Sequence, residues 1–284
     1  MKGSAPSRPT IETSSGGGPL PVAPLGPGEA RRLPGPDLGP PIVGSREVFD
    51  AGRTRIVKRE PPSGKFVQVL PLRLAKVVYP PSHPWRGRLG VVFGYAIRDK
   101  TAVVLVDTGI GPPHPDIDPD YHPIRVDLLA LLAEHDIAKS DVHAIINTHL
   151  HFDHCGGNRW FQDVPIYVQR AEREAARGEG YTVREWVDFP GARFAEVEGD
   201  FHLARGIECL ATPGHTPGHQ SVLVESSEGS ILLAGHAVAT PAEWMGGEPP
   251  CETSREAIRS VERLRKLSPQ RVYFSHHDMP FVRT

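Results

Sequence analysis

Short apolar runs alternate with turn signals from about residue 64 to the C-terminus of the chain. The runs "LGVVFGYAIRD" and "TAVVLVDTGIG" are separated by a polar step at Asp99 and Lys100, and this arrangement predicts a β-hairpin. Runs rich in β-branched residues predict further strands. These strands lie in "VHAIINT", "VPIYVQ", "IECLAT", "SVLVES", "SILLAG" and "RVYFS".

Three other segments have the pattern of helices. Apolar residues recur near every 3.6 positions in residues 125–136, and "RAEREAARG" closes with a glycine that is typical of a helix end. A third helix is predicted from Ser254 to about Leu267, with a capping box from Thr253 to Glu256 at its start. Strands in groups, with helices between the groups, predict an α/β sandwich in which helices pack outside two sheets.

The composition divides the chain into two parts. Residues 1–44 consist mainly of glycine, proline and serine, and such a segment buries too little apolar surface to offset the entropy of ordering. We therefore predict a disordered tail over residues 1–44 and one catalytic domain over residues 45–284. The alternative for the tail is an accessory arm packed over the domain.

Charge and cysteine usage limit the classes of partner. Lys and Arg number 32 against 34 Asp and Glu, so no global charge favours nucleic acid or an anionic membrane as the partner. No apolar stretch approaches the ~18–20 residues of a membrane span, and no signal-peptide pattern is found at the N-terminus. The three cysteines are an odd number at irregular spacings, which favours a reducing compartment. The sequence therefore predicts a cytoplasmic protein.

The segment "NTHLHFDHCGGN" (residues 147–158) concentrates metal-binding residue types directly after a predicted strand. If the segment stays extended, His149, His151 and Asp153 point to the same side, and a turn brings His154 round to them. Imidazole nitrogen and carboxylate oxygen are natural ligands of Zn²⁺ and similar cations. The segment therefore predicts a metal site.

Other histidines also follow predicted strands. His215 and His219 lie in "ATPGHTPGHQSV", His236 follows "SILLAG", and His276 and His277 follow the last strand. Four loops at strand ends are thus predicted to converge, with His219 in a structural role rather than as a ligand. For isolated histidines we predict structural or surface roles. These are His83, His114, His122, His135, His143 and His202.

The residues His149 to His154 read as the HxHxDH signature, and the chain resembles the metallo-β-lactamase superfamily in this motif and in "LVDTG" (105–109). "HLHFDHCGGN", "VPIYVQRAEREAA" and "TPGHTPGHQS" are most similar to its N-acyl homoserine lactonase branch. The resemblance covers roughly residues 65–284. It implies an αββα sandwich, two mixed sheets flanked by helices, with one or two zinc ions; iron, manganese and cobalt remain alternatives.

The resemblance also implies a ligand set. One metal is assigned to His149, His151 and His215, and the second to Asp153, His154 and a histidine of the last loop, for which we choose His276 over His277. Asp107 is expected to be a buried structural carboxylate near the site.

Two positions depart from the family pattern. His236 stands where the family has an aspartate that bridges both metals, and because a neutral imidazole has one free lone pair, we expect His236 to be a terminal ligand on one metal. Ala239 stands where the lactonases have a tyrosine that contacts the substrate carbonyl. The second metal site is therefore expected to be weaker, more widely spaced or empty, and the resemblance does not establish a homoserine lactone as the substrate.

The predicted reaction is hydrolysis of a lactone or related ester by a metal-bound hydroxide, with Asp153 moving a proton to the leaving alkoxide. A small-molecule substrate, a quorum-quenching role and a homodimer accompany this prediction. The alternatives are a thioester hydrolase or sulfur dioxygenase of the glyoxalase II type, which needs basic residues near the site, and a metal-binding protein without activity.

The sequence also leads to expectations for Cys155, for the loop at residues 237–250 and for several aromatic residues. Cys155 is expected to be a small buried thiol rather than a ligand. The loop at residues 237–250 is expected to shape the substrate pocket because it follows His236 directly. Phe152 and the tryptophans are candidates for an apolar pocket wall, although most are expected to be core or surface residues. The tryptophans are Trp85, Trp160, Trp186 and Trp244.

Overall fold

A computed structural model describes residues 67–83, 85–99 and 102–284. The predicted tail over residues 1–44 lies outside the described residues, as does the start of the predicted catalytic domain at residue 45. None of the helices in the described part has the length and apolar character that a membrane crossing requires.

Two mixed sheets form the centre of the fold. The first sheet has the order β4-β1-β2-β3-β5-β6-β7 and is antiparallel through β3 and parallel from there to β7. Its strands are β1 (Gln68–Val78), β2 (Leu89–Arg98), β3 (Val103–Val106), β4 (Ile124–Arg125), β5 (Val142–Ile146), β6 (Pro165–Gln169) and β7 (Arg193–Val197).

The second sheet has the order β13-β12-β11-β10-β9-β8, with β11 and β12 parallel and the other pairs antiparallel. Its strands are β8 (Phe201–Ala204), β9 (Ile207–Ala211), β10 (Gln220–Ser226), β11 (Gly229–Leu233), β12 (Arg271–Tyr273) and β13 (Phe281–Val282). The helices are α1 (Asp118–Tyr121), α2 (Leu128–Glu134), α3 (Phe152–Cys155), α4 (Arg170–Ala175), α5 (Arg184–Val187), α6 (Pro241–Met245) and α7 (Arg255–Lys266). The predicted α/β sandwich is therefore confirmed.

Three apolar clusters hold these layers together. Between the sheets, alternate residues of both inner faces pack together, among them Ile97, Ile146 and Leu233. Leu132 of α2 packs on the outer face of the first sheet, and Leu264 of α7 on the outer face of the second. Each such side chain contributes roughly 1.5–3 kcal/mol when it is fully buried, so the clusters fix the positions of the strand ends.

Most predicted helices and strands match the structure, but two helix starts differ. The helix predicted over residues 125–136 begins at Leu128, because Arg125 lies in β4 and pairs with Ala75 of β1. Helix α7 begins after Ser254, whose side chain accepts a hydrogen bond from the backbone N–H of Ala257. The predicted capping box at Thr253 is therefore wrong by one residue, because Ser254 is an equally good cap and is the one that occupies the cap position.

The strands that precede the histidine loops run in the same direction. β3 and β5 are parallel in the first sheet, and β9, β11 and β12 share a direction in the second. Asp107 follows β3 with φ +58°, and a Cβ at Gly156 would lie 1.9 Å from the backbone nitrogen of Gly111. The Asp107 turn and the loop that carries His154 thus pack together in a way that requires glycine at position 156.

Candidate metal centre and cavity

His149 lies three residues after the end of β5 and is fully buried. Its Nδ1 lies 3.0 Å from the hydroxyl oxygen of Thr148, and that hydroxyl lies 2.8 Å from a carboxylate oxygen of Asp107. Because the hydroxyl proton goes to the carboxylate, the hydroxyl accepts from Nδ1–H of His149, and Nε2 carries the lone pair. That Nε2 is buried without a hydrogen-bond partner in the described residues.

The alternation argument for Asp153 is wrong. His151 is the residue that precedes α3, with φ −63° and ψ 155°, and the chain turns helical at Phe152. Asp153 and His154 are therefore placed by a helical turn rather than by an extended segment. The turn separates them from His151 and gives them different neighbours.

Two of the three groups of ligand atoms in the described residues form the core of the site, each with its members within 4.8 Å of one another. The imidazole triad consists of His149, His151 and His215, and the carboxylate triad consists of Asp153, His154 and His276. All six residues that the resemblance assigned as ligands from these loops are thus brought together, and the two triads adjoin where the rings of His149 and His154 lie 4.0 Å apart.

Distances within each triad suit a small cation. Nδ1 of His151 lies 3.2 Å from Nε2 of His215. A carboxylate oxygen of Asp153 lies 3.6 Å from Nε2 of His154 and 3.5 Å from Nε2 of His276. Ligand atoms at about 2.0–2.1 Å from a tetrahedral zinc ion are roughly 3.4 Å from each other. The residues therefore fit a divalent cation in each triad.

Hydrogen bonds outside the carboxylate triad direct its lone pairs inward. Nδ1 of His154 donates to Asp107 at 2.8 Å, and Nδ1 of His276 donates to the carbonyl of Val91 at 2.9 Å. Both rings thus present Nε2 to the centre, and Nε2 of His154 is buried without a hydrogen-bond partner in the part of the chain described. Unpaired buried lone pairs are costly unless a cation binds them.

Two carboxylates orient one ligand of each triad. Asp107 is buried, as the sequence predicted, and accepts from His154 and from the backbone N–H of Thr148. Glu252 accepts from Nδ1 of His215 at 2.9 Å and is partly exposed. Such hydrogen bonds fix the ring tautomer and make the other nitrogen a better ligand. Glu252 was missed from the sequence because it lies 37 residues from His215, in a loop without a pattern.

Buried Glu172 connects the two loops of the imidazole triad. Its carboxylate accepts from the backbone N–H of Leu150 at 2.8 Å on one side. On the other side it accepts from the hydroxyl of Thr216 at 2.7 Å and the backbone N–H of Gly218 at 3.2 Å. The hydroxyl of Tyr181 also donates to it. Glu172 lies in a predicted helix and had no predicted role, because nothing in the helical pattern of α4 marks it.

His236 belongs to a third group with His149 and His154, whose ligand atoms also lie within 4.8 Å of one another. Its ring stacks on that of His215 with centroids 3.8 Å apart. Its backbone N–H donates to Nε2 of His219, whose Nδ1 lies 2.9 Å from the hydroxyl of Thr212. Both nitrogens of His219 are therefore occupied, which agrees with the structural role that the sequence predicted.

The last loop resolves the choice between its two histidines in position, since His276 joins the carboxylate triad and His277 does not. Nδ1 of His277 instead accepts from the backbone N–H of Met279 at 3.1 Å.

Cys155 is fully buried against Leu150 and Val168. Burial raises the pKa of the Cys155 thiol to about 12, as expected for a packed thiol and not for a ligand.

Burial and neighbouring charges set opposite proton affinities in the two triads. Burial lowers the pKa of His151 to about 3 and that of His215 to about 4. Burial also opposes the charged form of His154, but the carboxylates of Asp153 and Asp107 outweigh it and raise the pKa of His154. For Asp153, burial raises the pKa, and the neighbouring histidines outweigh burial and lower it. The imidazole triad thus favours neutral rings, whereas in the carboxylate triad His154 favours the charged form and burial lowers the pKa of His276.

A cavity of about 270 Å³ opens directly above the ligand atoms. Its lining includes His151, Asp153, His215, His236 and His276 together with Val77, Tyr79, His83, Tyr121, Phe152, Gly180 and Tyr181. Phe152 therefore forms part of the wall. The predicted contribution of residues 237–250 is wrong, because α6 packs Trp244 into the core beneath α7 and Ala239 is buried.

The aromatic residues of the cavity wall other than Phe152 were missed from the sequence. Tyr79 and His83 lie on the loop between β1 and β2, Tyr121 ends α1, and Tyr181 precedes α5. Each stands in a turn or a short helix, where no periodic pattern marks a residue as facing a site. His83 is partly exposed and belongs to none of the ligand groups, but it lines the cavity, a position that the structural or surface role predicted for it did not include.

Comparison with known proteins agrees with this geometry. The profile of the metallo-β-lactamase superfamily matches residues 87–276. The chain belongs to this superfamily. It is 34% identical over 204 residues to an N-acyl homoserine lactonase of a Bacillus species, a match that covers 66% of this chain and 81% of that protein. The predicted resemblance to the lactonase branch is thereby confirmed.

Solved structures of the same branch superpose on this fold. A variant of AiiA from B. thuringiensis with N-decanoyl-L-homoserine bound at the active site matches with a TM-score of 0.64 and 26% identity, over 76% of this chain and 94% of that one. A quorum-quenching N-acyl homoserine lactone hydrolase matches with a TM-score of 0.63 and 28% identity, over 76% of this chain and 93% of that one. Membership of the superfamily implies divalent metal binding, and histidine clusters of the required kind are present.

Proposed function

We propose that this protein is a metal-dependent hydrolase that opens the ring of an N-acyl homoserine lactone or a related lactone. One observation carries the proposal: two triads of metal-ligand residues lie side by side at the floor of one cavity. Lactonase relatives at 34% identity support lactones as the substrate class.

The residues of the two triads would hold the cations, zinc being our choice because nitrogen and carboxylate ligands at tetrahedral spacing suit it. When bound, a divalent cation acidifies a water molecule and polarises the substrate carbonyl. Asp153 faces the cavity with a carboxylate that its histidine neighbours keep ionised. It can accept a proton from the attacking water and pass it to the leaving alkoxide of the opened ring.

The cavity wall supports an uncharged substrate. No lysine or arginine is among its described lining residues, so nothing there pairs with a carboxylate on the ligand. The glyoxalase II type of thioester hydrolase and the sulfur dioxygenase were expected to need such a basic residue for glutathione. A lactone with an amide side chain carries no charge and is compatible with aromatic walls.

His236 limits how tightly a second cation can bind. Asp153 is the one carboxylate among the ligand atoms of the described triads, so two divalent cations would be balanced by a single negative charge. A neutral imidazole offers one lone pair and cannot join both cations as a carboxylate does. We therefore propose unequal affinities for the two cations, with His236 as a terminal ligand.

The cysteines bear on the location of the protein. Cys155, Cys209 and Cys251 are all unpaired, which supports the proposed cytoplasmic location. The homodimer stays a prediction, and light scattering of the purified chain measures it. A quorum-quenching role is proposed on the strength of the lactonase relatives.

The test uses the two neighbouring histidines of the last loop as a matched pair. The zinc-loaded wild-type protein is assayed on N-acyl homoserine lactones, an open-chain ester and a thioester, beside His276→Ala and His277→Ala. We expect lactone turnover that is lost in His276→Ala and kept in His277→Ala. Thioester turnover alone would support the alternative enzyme, and metal binding without turnover would contradict catalysis.

A further inference from the structure

The loop between β1 and β2 brings one histidine over the cavity. His83 lines the same cavity as Asp153 and His236. Backbone hydrogen bonds from His83 N–H to Pro80 at 2.9 Å and from Gly87 N–H to Tyr79 at 2.8 Å close this loop. The loop is therefore a folded turn, which holds the histidine in one position.

A single hydrogen bond determines which nitrogen of His83 carries a proton. The backbone N–H of Trp85 donates to Nδ1 of His83 at 3.1 Å. A neutral ring that accepts at Nδ1 must carry its proton on Nε2. Within the described residues Nε2 has no hydrogen-bond partner, so its N–H is available to a ligand. Burial lowers the pKa of His83 and outweighs the opposing influence of Asp153, which keeps the ring neutral.

Aromatic neighbours fix the plane of this ring. The rings of Tyr79 and His83 stack with centroids 4.3 Å apart and planes 17° apart. The ring of Trp85 meets His83 edge-on at 5.7 Å. A donor that is already oriented loses little freedom when a substrate binds, which is the requirement for electrostatic stabilisation of a transition state.

The cavity otherwise lacks the donor that the lactonase resemblance expects. Ala239 stands at the tyrosine position, is buried, and offers only a methyl group. The hydroxyl of Tyr181 is bound to Glu172, and the hydroxyl of Tyr79 lies over Gly90. Tyr121 packs against Phe152, and Tyr79 and Tyr121 are the competing donors among the described tyrosines of the wall.

We propose that His83 donates a hydrogen bond from Nε2–H to the carbonyl oxygen of the substrate, in place of the tyrosine hydroxyl absent at position 239. This proposal rests on the proposed lactonase function. As the nucleophile bonds to the carbonyl carbon, the π electrons move onto the oxygen, and the hydrogen bond strengthens. His83 keeps its proton, and the ring oxygen leaves with the proton carried by Asp153. Neutral histidine acts as an electrophile of this kind in other enzymes.

Two substitutions at position 83 distinguish loss of the Nε2–H donor from loss of the hydrogen bond to Trp85 that holds the loop. In His83→Asn the amide oxygen can take the place of Nδ1 and accept from Trp85, while the donor at Nε2 is lost. In His83→Gln the amide nitrogen can take the place of Nε2, while the bond to Trp85 is lost. We expect kcat to fall about 100-fold in His83→Asn with KM and melting temperature nearly unchanged, as for removal of one oxyanion donor.

His83→Gln should keep kcat within about tenfold of wild type while its melting temperature falls, and exposed His202→Asn serves as the control. A kcat in His83→Asn equal to wild type, or a comparable loss of kcat in Tyr79→Phe or Tyr121→Phe, would overturn the inference while leaving the lactonase function standing. Absence of turnover by the metal-loaded wild-type protein overturns both. Long-range ¹⁵N–¹H NMR gives a readout independent of activity, because a proton on Nδ1 of His83 contradicts the assignment.

Discussion

Both triads contain histidine ligands, but the two triads differ in charge. The imidazole triad has three histidines whose pKa values burial lowers, whereas the carboxylate triad has Asp153 as a ligand and Asp107 behind His154. The first triad offers neutral nitrogen, whereas in the second His154 has a raised pKa and must release a proton before its ring binds a metal. The two triads would therefore hold cations by separate balances of burial and charge.

Asp153→Asn should have the largest effect, because it removes the only carboxylate among the triad ligands. We expect kcat/KM for a lactone to fall on the order of 10³-fold, since several kcal/mol of metal-dependent stabilisation are lost. Elemental analysis should show one cation fewer per chain. The control is Asp116→Asn, because the side chain of Asp116 is 84% exposed. An unchanged metal content in Asp153→Asn would contradict the proposed difference in charge between the two triads.

Acid should destabilise the metal-free protein through the imidazole triad. The folded pKa values of about 3 for His151 and about 4 for His215 lie below the ordinary value of 6.5, so their stabilising contribution is present above pH 6.5. It is lost as the pH falls from 6.5 through these values, because the unfolded state binds more protons. Between pH 7 and 5 we expect a loss on the order of 2 kcal/mol for each histidine.

Denaturant unfolding of chelator-treated protein at both pH values measures this loss. His154 works in the opposite direction, since its raised pKa adds stability at low pH that disappears as the pH rises. A free energy of unfolding that increases between pH 7 and 5 would mean that the carboxylate triad dominates. In His151→Phe the side chain at position 151 does not titrate, so the free energy of unfolding of this variant should fall less between pH 7 and 5 than that of wild type.

The two orienting carboxylates give a smaller, graded comparison. Asp107→Asn should weaken metal binding about 10–100-fold, the usual cost of losing such a partner, because Asp107 is buried and also holds Thr148. Glu252→Gln should cost less than Asp107→Asn because solvent screens a partly exposed carboxylate. Zinc affinity measured by competition with a chelator tests the order. A larger loss of zinc affinity in Glu252→Gln than in Asp107→Asn would contradict the prediction that Asp107 contributes more to metal binding.

Glu172→Gln is expected to have the smallest effect, on stability rather than on charge. Its carboxylate joins the loops of the imidazole triad, and an amide nitrogen cannot accept from Thr216 or Gly218. We expect a loss of about 1–2 kcal/mol, or several degrees in melting temperature, as for an unsatisfied buried donor. Glu174→Gln on the same helix is the control. An unchanged melting temperature would mean that Glu172 does not connect these loops.

The floor and the wall of the cavity differ in how far the sequence predicts them. The floor ligands each follow an apolar strand run, so parallel strand directions alone predict that their loops converge. His83 and Tyr79 reach the cavity through the turn between β1 and β2, whose path depends on long-range packing and leaves no periodic signal. Asp153 was predicted as a candidate ligand in an extended segment, whereas its position depends on a helical turn that begins one residue after His151.

The most direct test is the zinc stoichiometry of three proteins at equilibrium: wild type, His151→Ala and His276→Ala. If the triads are two separate sites, wild type binds two zinc ions with unequal affinity and each variant loses one of them. If both variants bind as much zinc as wild type, or if either one loses all of it, the two triads are not separate metal sites.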